Sequence, residues 1–379
     1  MNINGYVKKF GNKTFKQWPF NDVDALVLSE LSYINLDLLF DEHKEKIVLK
    51  DIDVDKLEKE VFYDSADARY NKTMLKYMVK SKRFSHLAIK NAERRFSIKD
   101  INQFFAVTIV FPNGDLFVSF RGTDITLIGW KEDFLITYQS TMLAQIQGIE
   151  YVEKHLKDCT NNFYLGGHSK GGNIAFYAAL HLDEEMEKRL ITAYSFEGPG
   201  FREGISHLRN YPYIVDRMVK YRTYNDVIGS FYNNIENYKV CHSTGFFFGG
   251  HDPFFWQVSS TKGSFKTAKD ISPVAKLYEK RFHKWLDTLT FDDRALAVDA
   301  FFELFNKEND TIYDFALNFG SNVAKSKKTL ERYSKEEQVR LKAILKSLFK
   351  FLNVFANMDE EKKKSNKEEF KKIGMNKKS

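Results

Sequence analysis

Residues 163–172 read Phe-Tyr-Leu-Gly-Gly-His-Ser-Lys-Gly-Gly, and within them Gly167-His168-Ser169-Lys170-Gly171 has the spacing G-x-S-x-G. An apolar, strand-like run from Phe163 to Leu165 leads in, and a helix-like run from Asn173 to Leu180 leads out. A serine on so sharp a strand-to-helix turn has strained backbone angles, and its neighbours two residues away must lack side chains for strand and helix to approach. The turn exposes Oγ beside a helix N-terminus, where free backbone N–H groups can hold a developing negative charge. Without its flanks the pattern would be an ordinary glycine-serine loop. The strand before it and the alanine-rich run after it favour a nucleophile elbow.

The rest of the chain gives that elbow a suitable home. At 379 residues it is long for one compact domain and short for three, so a large domain with an appendage is expected. A hydrophobic content of 43%, with 35 Phe and 19 Tyr, supplies a sizeable core. Only 6 Pro residues and no low-complexity stretch argue against long linkers. Cys159 and Cys241 could pair, but two cysteines make no disulfide framework, and a reducing compartment fits at least as well. The first residues lack the apolar core of a signal peptide, and no long uncharged apolar run follows, so a soluble, cytoplasmic protein is expected.

The net charge of +7 raises nucleic-acid and membrane readings. Its lysines concentrate after Lys325 and are interleaved with glutamates, which describes a solvated, frayed end. Such a segment is compatible with a weak contact at an anionic membrane surface. No zinc-ligand spacing, phosphate-cradling glycine loop or RNA-binding signature occurs, so no metal, cofactor or nucleic-acid partner is expected.

Residues 15–100 read as helical and irregular, with Val23, Leu26, Val27 and Leu31 on one helix face and Asn21 or Asp22 as its cap. Phe104–Phe111 and Leu116–Phe120 are two strands joined by Pro112-Asn-Gly-Asp115, a strong hairpin signal. A helix is predicted near 140–157, and further strands at Ile191–Phe196 and Met218–Tyr224. Strands alternating with helices imply an α/β protein with a mostly parallel sheet, helices on both faces, and its site at the strand C-terminal ends. From about residue 270 the pattern is helical, with amphipathic stretches at Arg294–Phe305 and Gln338–Phe355. The expected divisions are a helical region at 1–100, the α/β core at 101–265, a helical region at 266–358 and a charged tail at 359–379.

A serine nucleophile needs a base, an orienting acid and oxyanion donors, and behind an elbow of this kind the chain order is Ser, then Asp or Glu, then His. Of nine histidines, only His181, His207, His242, His251 and His283 follow Ser169. His181 and His207 come too early. His242 lies in the strand-like run Tyr238–Ser243, whereas His251 follows Gly249-Gly250 in a loop that can swing over a site, so His251 is the expected base and His242 the alternative. Asp226, just past the strand Met218–Tyr224, is the expected acid. Glu197 is the alternative, read in preference as a turn residue before Gly198-Pro199-Gly200. The oxyanion hole would take one N–H from Lys170 and a second from Thr123, after the strand that ends in Phe120-Arg-Gly.

Phe120-Arg-Gly-Thr-Asp124, Gly129-Trp-Lys-Glu-Asp-Phe134, Gly167-His-Ser-Lys-Gly-Gly-Asn173, Gly198-Pro-Gly-Phe201 and His251-Asp-Pro-Phe-Phe-Trp-Gln-Val258 together resemble a bacterial family of α/β-hydrolase-fold proteins related to the class 3, fungal-type lipases. The resemblance runs from about Phe15 to Val258, and the helical C-terminal region also suits that family. It implies an α/β-hydrolase fold with the nucleophile at Ser169, the acid at Asp226, the base at His251 and an oxyanion residue at Thr123. The chain departs from the lipase-like His-Ser-Leu-Gly at Lys170, where a cation beside the nucleophile would draw anionic substrate groups.

Two classes of function follow. One is hydrolysis of a carboxylic ester, lipid and phospholipid esters included, through an acyl-enzyme. The other is a catalytically weak hydrolase scaffold kept for partner binding. A full set of elbow, acid, base and oxyanion candidates favours the enzyme.

Overall fold

The strand Asn102–Val110 is buried along nearly its whole length, and its alternate residues feed two different layers. Phe105, Val107 and Ile109 join one hydrophobic core, while Phe104 and Ala106 join another. A strand that is apolar on both faces needs cover on both. The computed structural model describes residues 1–40, 45–62, 68–123, 127–202, 205–232, 237–245, 248–303 and 330–348.

Among the described residues nine strands form one sheet in simple sequence order: β1 (Lys46–Val48), β2 (Ala88–Ser97), β3 (Asn102–Val110), β4 (Leu116–Phe120), β5 (Phe163–His168), β6 (Leu190–Phe196), β7 (Met218–Thr223), β8 (Tyr238–Cys241) and β9 (Thr267–Ala268). The sheet is mixed. Neighbours run parallel from β4 to β8, and antiparallel from β1 to β4 and between β8 and β9. The predicted hairpin is the β3–β4 pair, closed by Phe111 N–H donating to the Asp115 carbonyl at 2.9 Å, with Gly114 supplying a φ of 93°.

Helices α1 (Ile3–Phe10), α2 (Asp22–Glu30) and α3 (Ala68–Val79) pack with one face of the sheet. On the other lie α5 (Leu143–Leu156), α6 (Lys170–Leu180), α7 (Glu184–Arg189) and α8 (Tyr211–Ile214), with α4 (Leu127–Leu135) following β4 in the chain. The cap of α2 is Asn21: its Oδ1 accepts from Val23 N–H at 2.9 Å, and Asp24 accepts in return from Asn21 N–H at 3.0 Å. Asp24 also takes the guanidinium of Arg83, which in turn donates to the carbonyls of Trp18 at 2.7 Å and Pro19 at 3.1 Å. This buried pair ties the segment before α2 to the turn after α3.

Strands β1 and β2 fall in the region read as helical and irregular. Their period is hidden because β2 carries Lys90, Glu93, Arg94 and Arg95, and its register shifts between Lys90 and Glu93, where Asn91 has a φ of 55°. Cys159 and Cys241 are both free thiols. No helix among the described residues is long and apolar enough to cross a membrane.

The chain divides into two compact units. The first contains the sheet and all residues of the candidate site. In the second, a helix at Phe291–Phe302 starts from a capping box between Thr290 and Asp293, and Arg340 donates to Asp293 at 2.7 Å, joining that helix to a helical stretch at 335–348. The expected amphipathic stretch at Gln338–Phe355 is helical as far as 348. Its remainder, and the expected tail at 359–379, lie outside the described residues.

Candidate active site

Ser169 sits between β5 and α6 with φ 56° and ψ −132°, a conformation that side chains other than glycine resist. Its N–H donates to the Phe196 carbonyl at 2.9 Å, which fixes the turn to the neighbouring strand. The flanking glycines are required by space. A Cβ on Gly167 would lie 2.3 Å from the Gly171 carbonyl carbon, and one on Gly171 would lie 2.1 Å from the Phe120 oxygen. Gly122 brings the segment after β4 against the elbow: a Cβ there would lie 2.0 Å from Tyr33 Oη and 3.1 Å from Ser169 Cβ.

His251 ends a short turn of helix, α9 (Phe248–His251), and its Nδ1 lies 2.6 Å from Glu197 Oε2. Glu197 is buried at the end of β6, with a φ of 53° that turns its carboxylate toward the site. Its other oxygen accepts from Thr223 N–H at 3.0 Å and from the Thr223 hydroxyl. Burial raises the Glu197 pKa, but His251 and Thr223 outweigh that and hold the group below the ordinary carboxylate range. Burial likewise disfavours charge on His251, yet the hydrogen bond and charge of Glu197 leave its pKa raised.

Asp226, the expected acid, is engaged elsewhere. It accepts from Arg222 Nε at 2.5 Å and from Gly229 N–H at 2.7 Å, and among the described residues it makes no hydrogen bond with His251. Burial first, then the Glu197 charge, raises its pKa to about 7. The geometry therefore replaces Asp226 by Glu197 as the carboxylate partner of His251. The alternative base, His242, packs against the Tyr224 ring at 5.5 Å.

His168, next to the nucleophile, was not singled out from the sequence. Its Nε2 lies 3.0 Å from the His251 carbonyl, which can only accept, so this nitrogen carries the proton and holds the base's backbone. Its Nδ1 lies 3.2 Å from Tyr33 Oη. Burial, and then the neighbouring charge of His251, keeps His168 well below the ordinary pKa and hence neutral. The only sequence signal for it was its place beside Ser169. Donor atoms of His168, Glu197 and His251 lie within 4.8 Å of one another, close enough to hold a metal ion, but these groups are already engaged with one another and with His251's backbone.

Thr123 Oγ1 donates to Asp133 Oδ2 at 2.5 Å. Burial raises the Asp133 pKa to about 6, against the opposing effects of Lys170 and Thr123. Lys170 begins α6, and its ammonium is turned into the protein. The side chain is buried, and Nζ donates to Glu132 Oε2 at 2.5 Å and to the Gln103 carbonyl at 3.0 Å. This corrects the expectation of a cation that draws anionic substrates. Asp124 of the sequence motif lies outside the described residues. Among the described residues no hydrogen bond joins Ser169 Oγ to the His251 ring, a contact that often forms fully only with substrate bound.

This strained serine beside a His–Glu dyad belongs to a chain whose residues 78–303 match a family model described as Mbeg1-like. That is more than half of the 379 residues, and the chain belongs to the Mbeg1-like family. Among curated proteins none matches. Among solved structures it is similar to M37 lipase, with 16% identity and a TM-score of 0.33 over 45% of this chain and 65% of that one. It is also similar to the lipase of Rhizopus microsporus var. chinensis, with 15% identity and a TM-score of 0.31 over 48% and 67%. A third is the Rhizomucor miehei lipase propeptide complex, with 13% identity and a TM-score of 0.30 over 41% and 57%. The chain thus spans less than two thirds of M37 lipase, and with such TM-scores these likenesses bear no part of the functional reading.

Proposed function

We propose that the chain is a serine hydrolase of α/β-hydrolase fold that cleaves a carboxylic ester, with lipid and phospholipid esters in its substrate class. The observation that carries this is the hydrogen bond from the half-buried His251 to the buried Glu197 at the strand ends beside the strained Ser169 elbow. Ser169 Oγ attacks the acyl carbon while His251 Nε2 takes its proton. The leaving alcohol then receives that proton, and water, activated by the same histidine, hydrolyses the acyl-enzyme. Glu197 holds His251 in the tautomer with the proton on Nδ1 and stabilises the imidazolium that forms. The N–H groups of Lys170 and Thr123 are the oxyanion donors.

A second reading, a catalytically weak scaffold that serves binding, draws on the fact that among the described residues no hydrogen bond joins Ser169 Oγ to the His251 ring. Labelling with a fluorophosphonate separates the two, since it reports an activated serine without knowledge of the substrate. The wild-type protein should label and hydrolyse short p-nitrophenyl esters, and Ser169→Ala should do neither while remaining folded. A wild-type protein that fails to label favours the scaffold, and a labelled Ser169→Ala protein moves the nucleophile elsewhere.

A further inference from the structure

Two neighbouring carboxylates on α4 grip the two residues assigned as oxyanion donors. Asp133 accepts from the Thr123 hydroxyl at 2.5 Å, and Glu132 accepts from the Lys170 ammonium at 2.5 Å. The Glu132–Lys170 pair is fully shielded, with side chains 0% and 1% exposed. It is also closed on the backbone of β3: Glu132 Oε2 accepts from Gln103 N–H at 3.1 Å, and Lys170 Nζ donates to the Gln103 carbonyl at 3.0 Å. A buried ion pair is a poor source of net stability, because desolvating two charges offsets their attraction. What such an arrangement supplies is fixed geometry: Glu132 Oε2 meets both the Lys170 ammonium and Gln103 N–H only when α4, β3 and the first turn of α6 keep one spacing, while Oε1 is buried without a hydrogen-bond partner.

We infer that Glu132 and Lys170 are positioning residues, and that their ion pair sets the distance between the Lys170 N–H and the Thr123 segment, so that both donors converge on one oxyanion. This rests on the hydrolase reading above and deepens it. The lysine that replaces the lipase-like leucine thereby acts inward, through its own main chain, and has no part in choosing the substrate. The carboxylate next to Glu132 is part of the same arrangement, since a shift of α4 would move the partners of Lys170 and Thr123 together.

The test replaces both charges by apolar groups of similar length, K170M/E132M, so that no unpaired charge remains. Positioning predicts a cooperative thermal transition near that of the wild-type protein, kcat on a p-nitrophenyl ester lowered about 10- to 100-fold with KM held, and fluorophosphonate labelling slowed in proportion, somewhat less than the loss from deleting a donor outright. E132D keeps both charges but shortens the reach. It should lower kcat at least fivefold, again with KM held, and it decides the matter if the double variant does not fold. A folded double variant, or a folded E132D, with kcat and labelling rate unchanged would overturn the inference while leaving the hydrolase reading intact. A wild-type protein that does not label at all would remove both.

Discussion

Glu197 Oε2 lies 2.6 Å from His251 Nδ1, although Asp226, one strand further along the sheet, is also buried and also at a strand end. The two carboxylates differ in what else they hold. Glu197 receives both Thr223 donors and the imidazole, whereas Asp226 is taken by Arg222 and Gly229. The first prediction follows: Glu197→Gln should lower kcat/KM about 10⁴-fold, the size expected when an acid that fixes the histidine tautomer is neutralised. Asp226→Asn should keep most of the activity. Steady-state kinetics on both variants checks the assignment, and equal losses would count against it.

His251→Ala should lose several orders of magnitude in kcat, and His242→Ala little. Among the described residues Glu197 hydrogen-bonds His251, whereas the His242 ring packs on Tyr224. The same assays would reverse the choice if His242→Ala proved the crippled protein.

The pH dependence has a definite sign. The base must be neutral to accept a proton, and its pKa is raised above the ordinary 6.5, with Glu197 outweighing the opposing effect of burial. The acid limb of kcat/KM should therefore lie above pH 6.5 and move to lower pH in Glu197→Gln, where the neighbouring charge is gone. Stability runs the other way: a raised folded-state pKa contributes stability that is fully present below pH 6.5 and lost as pH rises through the folded value. Titrating the His251 ring by NMR in the Ser169→Ala background reads the shift directly.

Arg83→Ala should destabilise the fold by about 3–5 kcal/mol, the range for a buried pair broken on one side. It would strand the Asp24 carboxylate, whose pKa burial already raises, and release the carbonyls of Trp18 and Pro19. Arg83→Lys should recover little, since an ammonium cannot span the fork of acceptors. Urea unfolding of both variants measures this, and a near-wild-type Arg83→Ala would show that α2 is held without the pair.

Much of this was legible in the sequence because it is local. The glycines about Ser169 report a turn that only close backbone approach demands, and Pro112–Asp115 reports a hairpin. The identity of the acid is not local. Glu197 and Asp226 stand at the ends of adjacent strands with similar neighbours, and what separates them is a φ of 53° at Glu197 and the presence of Arg222 four residues before Asp226, whose reach depends on the packed sheet. Lys170 shows the same limit. A charge beside a nucleophile reads as facing substrate until Glu132, 38 residues earlier, is seen to receive it. Strand β2 was hidden by its own bulge and surface charge.

Ser169 and Glu197 share one trait that the chemistry does not require of their side chains: both hold a backbone shape natural to glycine, at φ 56° and 53°. Each such residue costs roughly 1–3 kcal/mol. Glycine at position 169 or 197 should thus yield an inert protein that melts at a higher temperature than the wild type, provided the lost contacts of Glu197 do not outweigh the relief. On the hydrolase reading, the groups proposed to react and the stability of the fold are set against each other at the same two peptide units, and a sequence released from that demand would have an easy route to greater robustness by giving up these two side chains first.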